Sequence, residues 1–169
     1  ARNLHDGLLQ SLTAIALKLE EMREVLEETS HPAEKNVMVL QRLILAEQSA
    51  GWVPRTLDML DHQFRRFADP STAENHFGGE VVKVVTELPS YYWRTNCFAG
   101  ASFFRPCEAP LRHDIGVDRI MWGQDYPHIE ATYPYTTEAL RNTFAGIDVD
   151  EVARMVGLTA AEVYGFDLD

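Results

Sequence analysis

No run of apolar residues in this sequence approaches the roughly 20 that a membrane-spanning helix needs, which removes a spanning role from its expected functions. Positive charge is also scarce. Fifteen Lys and Arg stand against 26 Asp and Glu, a net charge of −11, which disfavours nonspecific nucleic-acid binding and attachment to anionic membranes. Two cysteines, Cys97 and Cys107, form no CxxC pair and are expected to be reduced thiols, with the cytoplasm as the expected compartment. The first residues carry no signal-peptide h-region. Instead "ARNLHDGLLQ" is already in helical phase, as if it began within a longer element. There is no internal repeat and no low-complexity tract. What remains is a chain of 169 residues, 46% hydrophobic and 24% charged, enough for one sizeable core in one domain or two small ones.

Two patterns divide the chain. Leu4, Leu8, Leu12, Ile15, Leu19, Met22 and Leu26 alternate spacings of four and three, the mark of a helix with one apolar seam. "ETSHPAEKN" breaks it at Pro32, and Val37, Leu40 and Ile44 resume helical spacing, so residues 1–48 are expected to form an α-helical hairpin. From residue 49 to 169 the expectation is α/β. "SAGWVPRTL" leads into a helix with Pro54 in its first turn and Val53, Leu57, Leu60, Phe64 and Phe67 on its buried face. "DPSTAENHFGG" reads as a polar loop, and "TNCFAGASFF" and "DRIMWG" read as strands. Two capping boxes, Asp148 with Glu151 and Thr159 with Glu162, predict two closing helices, stopped at Gly157 and Gly165.

Two short motifs carry chemistry. In "LHDGLLQSL", Asp6 and Gln10 share a helical face beside His5. A carboxylate can orient an exposed imidazole for phosphoryl transfer, and a Gln one turn on can position water for the reverse hydrolysis. Residue types alone favour a plain surface histidine. In "MWGQDYPHIEATYP", Asp125 and His128 follow an apolar strand. A carboxylate there can bind a cation and act as base toward a metal-bound water. Asp-x-x-His by itself is a weak signal, and residue types alone favour a capped turn before Pro127 and a loop histidine.

The longer strings are more specific. "ARNLHDGLLQSLTAIALKLE" resembles the dimerisation and phosphoacceptor helix of sensor histidine kinases, over about residues 1–45. That resemblance implies His5 as phosphoacceptor, Asp6 as its general base and Gln10 as phosphatase residue, in a two-component phosphotransfer module. The glycine-rich segments of that family's ATP-binding domain do not occur here. "GWVPRTLDMLDHQ", "LPSYYWRTNCF", "GVDRIMWGQDYPHIEATYP" and "AAEVYGFDL", in that order, resemble the amidohydrolase-related metal-dependent hydrolases, a group that also holds nonoxidative decarboxylases. This resemblance covers about residues 42–169. It implies a (β/α)₈ TIM barrel with one divalent metal, zinc or manganese, at the carboxyl ends of the strands, and a small-molecule substrate.

By the same resemblance "RLILAEQSAGW" is the sixth strand, with Glu47 where relatives often have a catalytic histidine. "TNCFAGASFF" is then the seventh strand and "DRIMWG" the eighth, with Asp125 as metal ligand and proton acceptor and His128 beside it. Gln124 stands where Ser is common and Ala131 where Gly is common, and neither change removes a ligand. The family's His-x-His motif is missing, since no two of the six histidines have that spacing. A whole barrel needs about 250 residues, with roughly 200 as a lower limit. The expectation is therefore a partial barrel, its last three strands and their helices, preceded by the hairpin. Such a chain is expected to be inactive by itself, without tight metal binding, and to form a homo-oligomer through residues 1–48.

Overall fold

The structure is a computed structural model, and it describes residues 42–168. The hairpin seam and the motif His5, Asp6 and Gln10 lie outside the described residues. Within them the chain divides into two compact units, Asp61–Leu88 and residues 42–60 with 89–168.

The larger unit is built on a three-stranded parallel sheet, β1 (Leu43–Leu45), β2 (Cys97–Ala101) and β3 (Ile120–Trp122), in the order β1-β2-β3. Leu43 pairs with Cys97, and Ala99 with Ile120. Parallel neighbours require crossover connections, and sheets of this kind are covered on both faces. Successive residues on opposite faces are accordingly buried, Phe98 and Ala99 on β2 and Ile120 and Met121 on β3. The central strand is narrow: a Cβ on Gly100 would stand 3.1 Å from the Ala46 Cα, so glycine lets the chain leaving β1 run close across β2.

Helix α1 (Val53–Ala68) follows β1. Val53 and Leu60 are buried and Leu57 is half-buried against the core, as the spacing predicts. In the smaller unit Phe67 is buried, with its ring against Gly78, and Arg66 pairs with Glu74. The expected polar loop there contains a helical turn, α2 (Asn75–Gly78), and a second, α3 (Val81–Val84), follows.

Helix α4 (Pro89–Asn96) leads into β2 and places Trp93 in the core, its indole Nε1 donating to the Ile115 carbonyl at 2.7 Å. The turn α5 (Arg112–Ile115) precedes β3, and α6 (Thr136–Thr143) follows the loop after it. The core joins Ala50, Val53, Trp93, Ala99, Ile115, Ile120, Phe144 and Met155.

Two expectations need correction. The helical phase of Val37, Leu40 and Ile44 does not extend to Ile44, which lies in β1 and pairs with Phe98. Leu43–Leu45 is thus a strand, as the hydrolase-like reading expects. The closing helices are also continuous. Helix α7 (Val149–Ala153) runs through a π-helical segment, Arg154–Leu158, into α8 (Thr159–Tyr164). Gly157 stops nothing, and Thr159, buried and αR, caps nothing. The π segment packs along β3 with Met155 fully buried, so burial carries the helix past its glycine. Asp148 does cap α7, its side chain accepting from the Asp150 amide, but Glu151 turns instead to Arg112 at 2.6 Å and His113 at 3.3 Å. Gly165, left-handed at φ 71°, ends α8 as expected, and Arg42 donates to the Glu162 and Val163 carbonyls near that end.

Candidate active site at the carboxyl ends of the strands

The three strands run the same way, so the loops leaving β1, β2 and β3 gather at one end of the sheet. Two non-glycine residues of the described chain have positive φ, and both are in these loops: Glu47 (φ 56°) after β1 and Asp125 (φ 61°) after β3. A non-glycine residue holds that conformation at a cost of order 1 kcal/mol, so its surroundings must fix it.

Around Asp125 the fixing is local. The His128 amide donates to the Asp125 carbonyl at 2.9 Å, closing a turn that contains the cis Tyr126–Pro127 peptide. The same turn sets the side chains together, with His128 Nδ1 3.0 Å from Asp125 Oδ2. The Asp125 side chain is 10% exposed and the His128 ring 57%. The loop then returns: the Thr132 amide donates to the Gln124 carbonyl at 3.2 Å, and Gln124 Nε2 donates to Thr136 Oγ1 at 2.9 Å. Gln124 thus ties the loop to the start of α6. Tyr126 and Tyr133, both exposed, meet edge to face on the outside.

The hydrogen bond to Asp125 raises the His128 pKa above its ordinary value, and the negative charges of Asp125, Glu47 and Glu130 add to the effect, while burial opposes it. With Nδ1 held by the carboxylate, Nε2 is the ring nitrogen left for a proton or ligand. Glu47 is exposed and contributes charge; among the described residues no hydrogen bond or ion pair joins it to Asp125 or His128. Asp125 and His128 are therefore brought together, and Glu47, on the loop after β1 at the same end of the sheet, acts on His128 only through its charge.

One residue that sequence reasoning misses supports this face. Glu108, on the loop after β2, is 4% exposed. Its Oε1 accepts from the Gly51 amide at 2.5 Å and its Oε2 from the Arg105 amide at 2.9 Å. Arg105 Nε also lies 3.5 Å from Oε2, but no sequence spacing signals the bond to the Gly51 amide, 57 residues away. Among the described residues no group of three or more His, Cys, Asp and Glu could hold a metal ion. A shallow groove of about 660 Å³ lies elsewhere, lined by Val117, Arg154, Leu158 and Phe166 beside the start of β3, and holds none of these site residues.

Residues 40–166 match the family described as Amidohydrolase. The chain belongs to the amidohydrolase family. Residues 1–51 also match a family described as Histidine kinase, and the two matches overlap at β1 and the loop after it. Comparison with curated proteins gives no match. No helix among the described residues is long and apolar enough to cross a membrane.

Proposed function

We propose that residues 40–166 are the last three strands and accompanying helices of an amidohydrolase-type (β/α)₈ barrel, and that Asp125 is one ligand of its divalent metal and a proton acceptor. The observation that carries this reading is the Asp125 carboxylate, largely covered, just past the end of a parallel strand and bonded to His128. In parallel α/β folds the variable, reactive loops sit at that end.

The donor set fits one corner of a metal site and no more. Catalytic zinc takes three protein ligands, and the described residues bring no such cluster together. Zinc or manganese would polarise a water or a substrate oxygen, and the chain's own residues do the rest. Asp125 holds the imidazole by Nδ1, so His128 Nε2 is directed to take up or release a proton, and Glu47 biases the ring toward its charged form. The reaction class is hydrolysis or nonoxidative decarboxylation of a small molecule, and the 169-residue chain by itself is inactive.

Equilibrium dialysis against zinc and manganese tests this reading. The expected result is no stoichiometric retention, with weak binding that falls in Asp125→Ala. Tight stoichiometric binding lost in Asp125→Ala would show a complete site, and binding that ignores Asp125 would remove it as a ligand.

A second reading draws support from the match over residues 1–51: a phosphotransfer module in which His5 accepts phosphate, Asp6 is the base and Gln10 directs dephosphorylation. The apolar seam from Leu4 to Leu26 is proposed to join copies of the chain, with residues 1–48 as the associating part. Acid-labile phosphate on His5 after incubation with a phosphorylated receiver, absent in His5→Gln, is its expected signature. A monomer by light scattering would remove the association.

A further inference from the structure

Glu47 occupies a left-handed conformation that a residue with a side chain rarely adopts, so something must hold it there. The chain on its amino side is pinned by Ala46, whose Cα crosses Gly100 so closely that a Cβ there would stand 3.1 Å away. On its carboxyl side the loop is tied at Ser49, whose carbonyl accepts from Trp52 Nε1 at 2.8 Å, and at Ala50, which is fully buried. It is then tied at Gly51, whose amide donates to the buried Glu108 at 2.5 Å. A Cβ on Gly51 would stand 2.7 Å from Glu108 Oε1, so a side chain there would push the carboxylate from its place. Through Oε2 the same carboxylate takes the Arg105 amide, and with it the loop leaving β2.

We propose that Glu108 is a positioning residue: it clamps the loop after β1 to the loop after β2 and so holds Glu47 in its left-handed conformation at the carboxyl face. Oε1 makes the bond between the two loops, and Oε2, which takes the Arg105 amide of Glu108's own turn and lies 3.5 Å from Arg105 Nε, holds the carboxylate in place for it. The relevance of Glu47 to catalysis rests on the reading of this end of the sheet as the reactive face. The clamp itself does not, and its test contains no metal.

NMR of the full 169-residue chain decides it. The wild type is expected to show a hydrogen-bond scalar coupling between the Gly51 amide nitrogen and the Glu108 carboxyl carbon, with a slowly exchanging Gly51 amide. Absence of the coupling overturns the proposal. Glu108→Gln keeps the size but turns one acceptor into a donor. In it Gly51 is expected to exchange roughly tenfold faster, and Glu47 to leave the left-handed region, read from its HN–Hα coupling and Cβ shift, while the Trp93 indole signal stays in place. A lowered melting temperature with unchanged Glu47 parameters would reduce Glu108 to a stabilising residue and overturn the proposal. If Glu108→Gln does not fold, Gly51→Ala breaks the clamp from the other side and is read by the same Glu47 parameters, with the same two outcomes.

Discussion

Asp125 Oδ2 and His128 Nδ1 are 3.0 Å apart, joined across a turn whose backbone bond links the same two residues, the carboxylate almost covered and the ring more than half exposed. The carboxylate favours the charged ring, so the folded pKa of His128 lies above its unfolded value of about 6.5. The resulting stabilisation is fully present below that unfolded value and is lost as pH rises through the raised folded one. In Asp125→Asn the His128 pKa is expected to fall, as followed by NMR titration of its ring protons. An unchanged pKa would mean that the pair is not formed in solution.

The two thiols are expected to react very differently. Burial pushes the Cys97 thiol up to about 11, against a lowering contribution from Arg119, whereas Cys107 is exposed. At pH 8 a disulfide-exchange reagent should modify Cys107 quickly and Cys97 only slowly, because the thiolate is the nucleophile. Two equally fast thiols would mean that β2 is not covered on that side.

Trp93→Phe keeps most of the ring burial and leaves the Ile115 carbonyl without its indole donor. A cost of about 1–3 kcal/mol in urea unfolding is expected. A near-zero change would place Trp93 outside the core.

Much of the larger unit's order is legible in the sequence. The apolar runs at β2 and β3, the buried face of α1, the Asp148 cap and the Gly165 stop all follow from local pattern. β1 is legible only through family resemblance, because three apolar residues are too few to separate strand from helix, and Ile44 fits both periods. Gly157 shows tertiary packing overriding a local stop. Asp125 and His128 lie three residues apart and are drawn together by their own turn, while Glu108 in "PCEAP" gives no such sign, since its bond to the Gly51 amide joins residues 57 apart in sequence.

Because the helix runs on from α7 through the π-helical segment, Gly157 is only a weak point in it, with nothing within 4 Å of an added Cβ. Gly157→Ala is then expected to stabilise the chain by about 0.5–1 kcal/mol. Destabilisation in thermal or urea melts would restore the stop at Gly157.

Manganese titration, followed by paramagnetic broadening of assigned amide signals, tests most directly whether the carboxyl ends of these strands carry one corner of a metal site. The expected result is weak, saturable broadening centred on residues 124–128, abolished in Asp125→Asn and sparing the groove at Val117 and Arg154. Broadening spread over the acidic surface, and unchanged in Asp125→Asn, would contradict the assignment of Asp125 as a metal ligand.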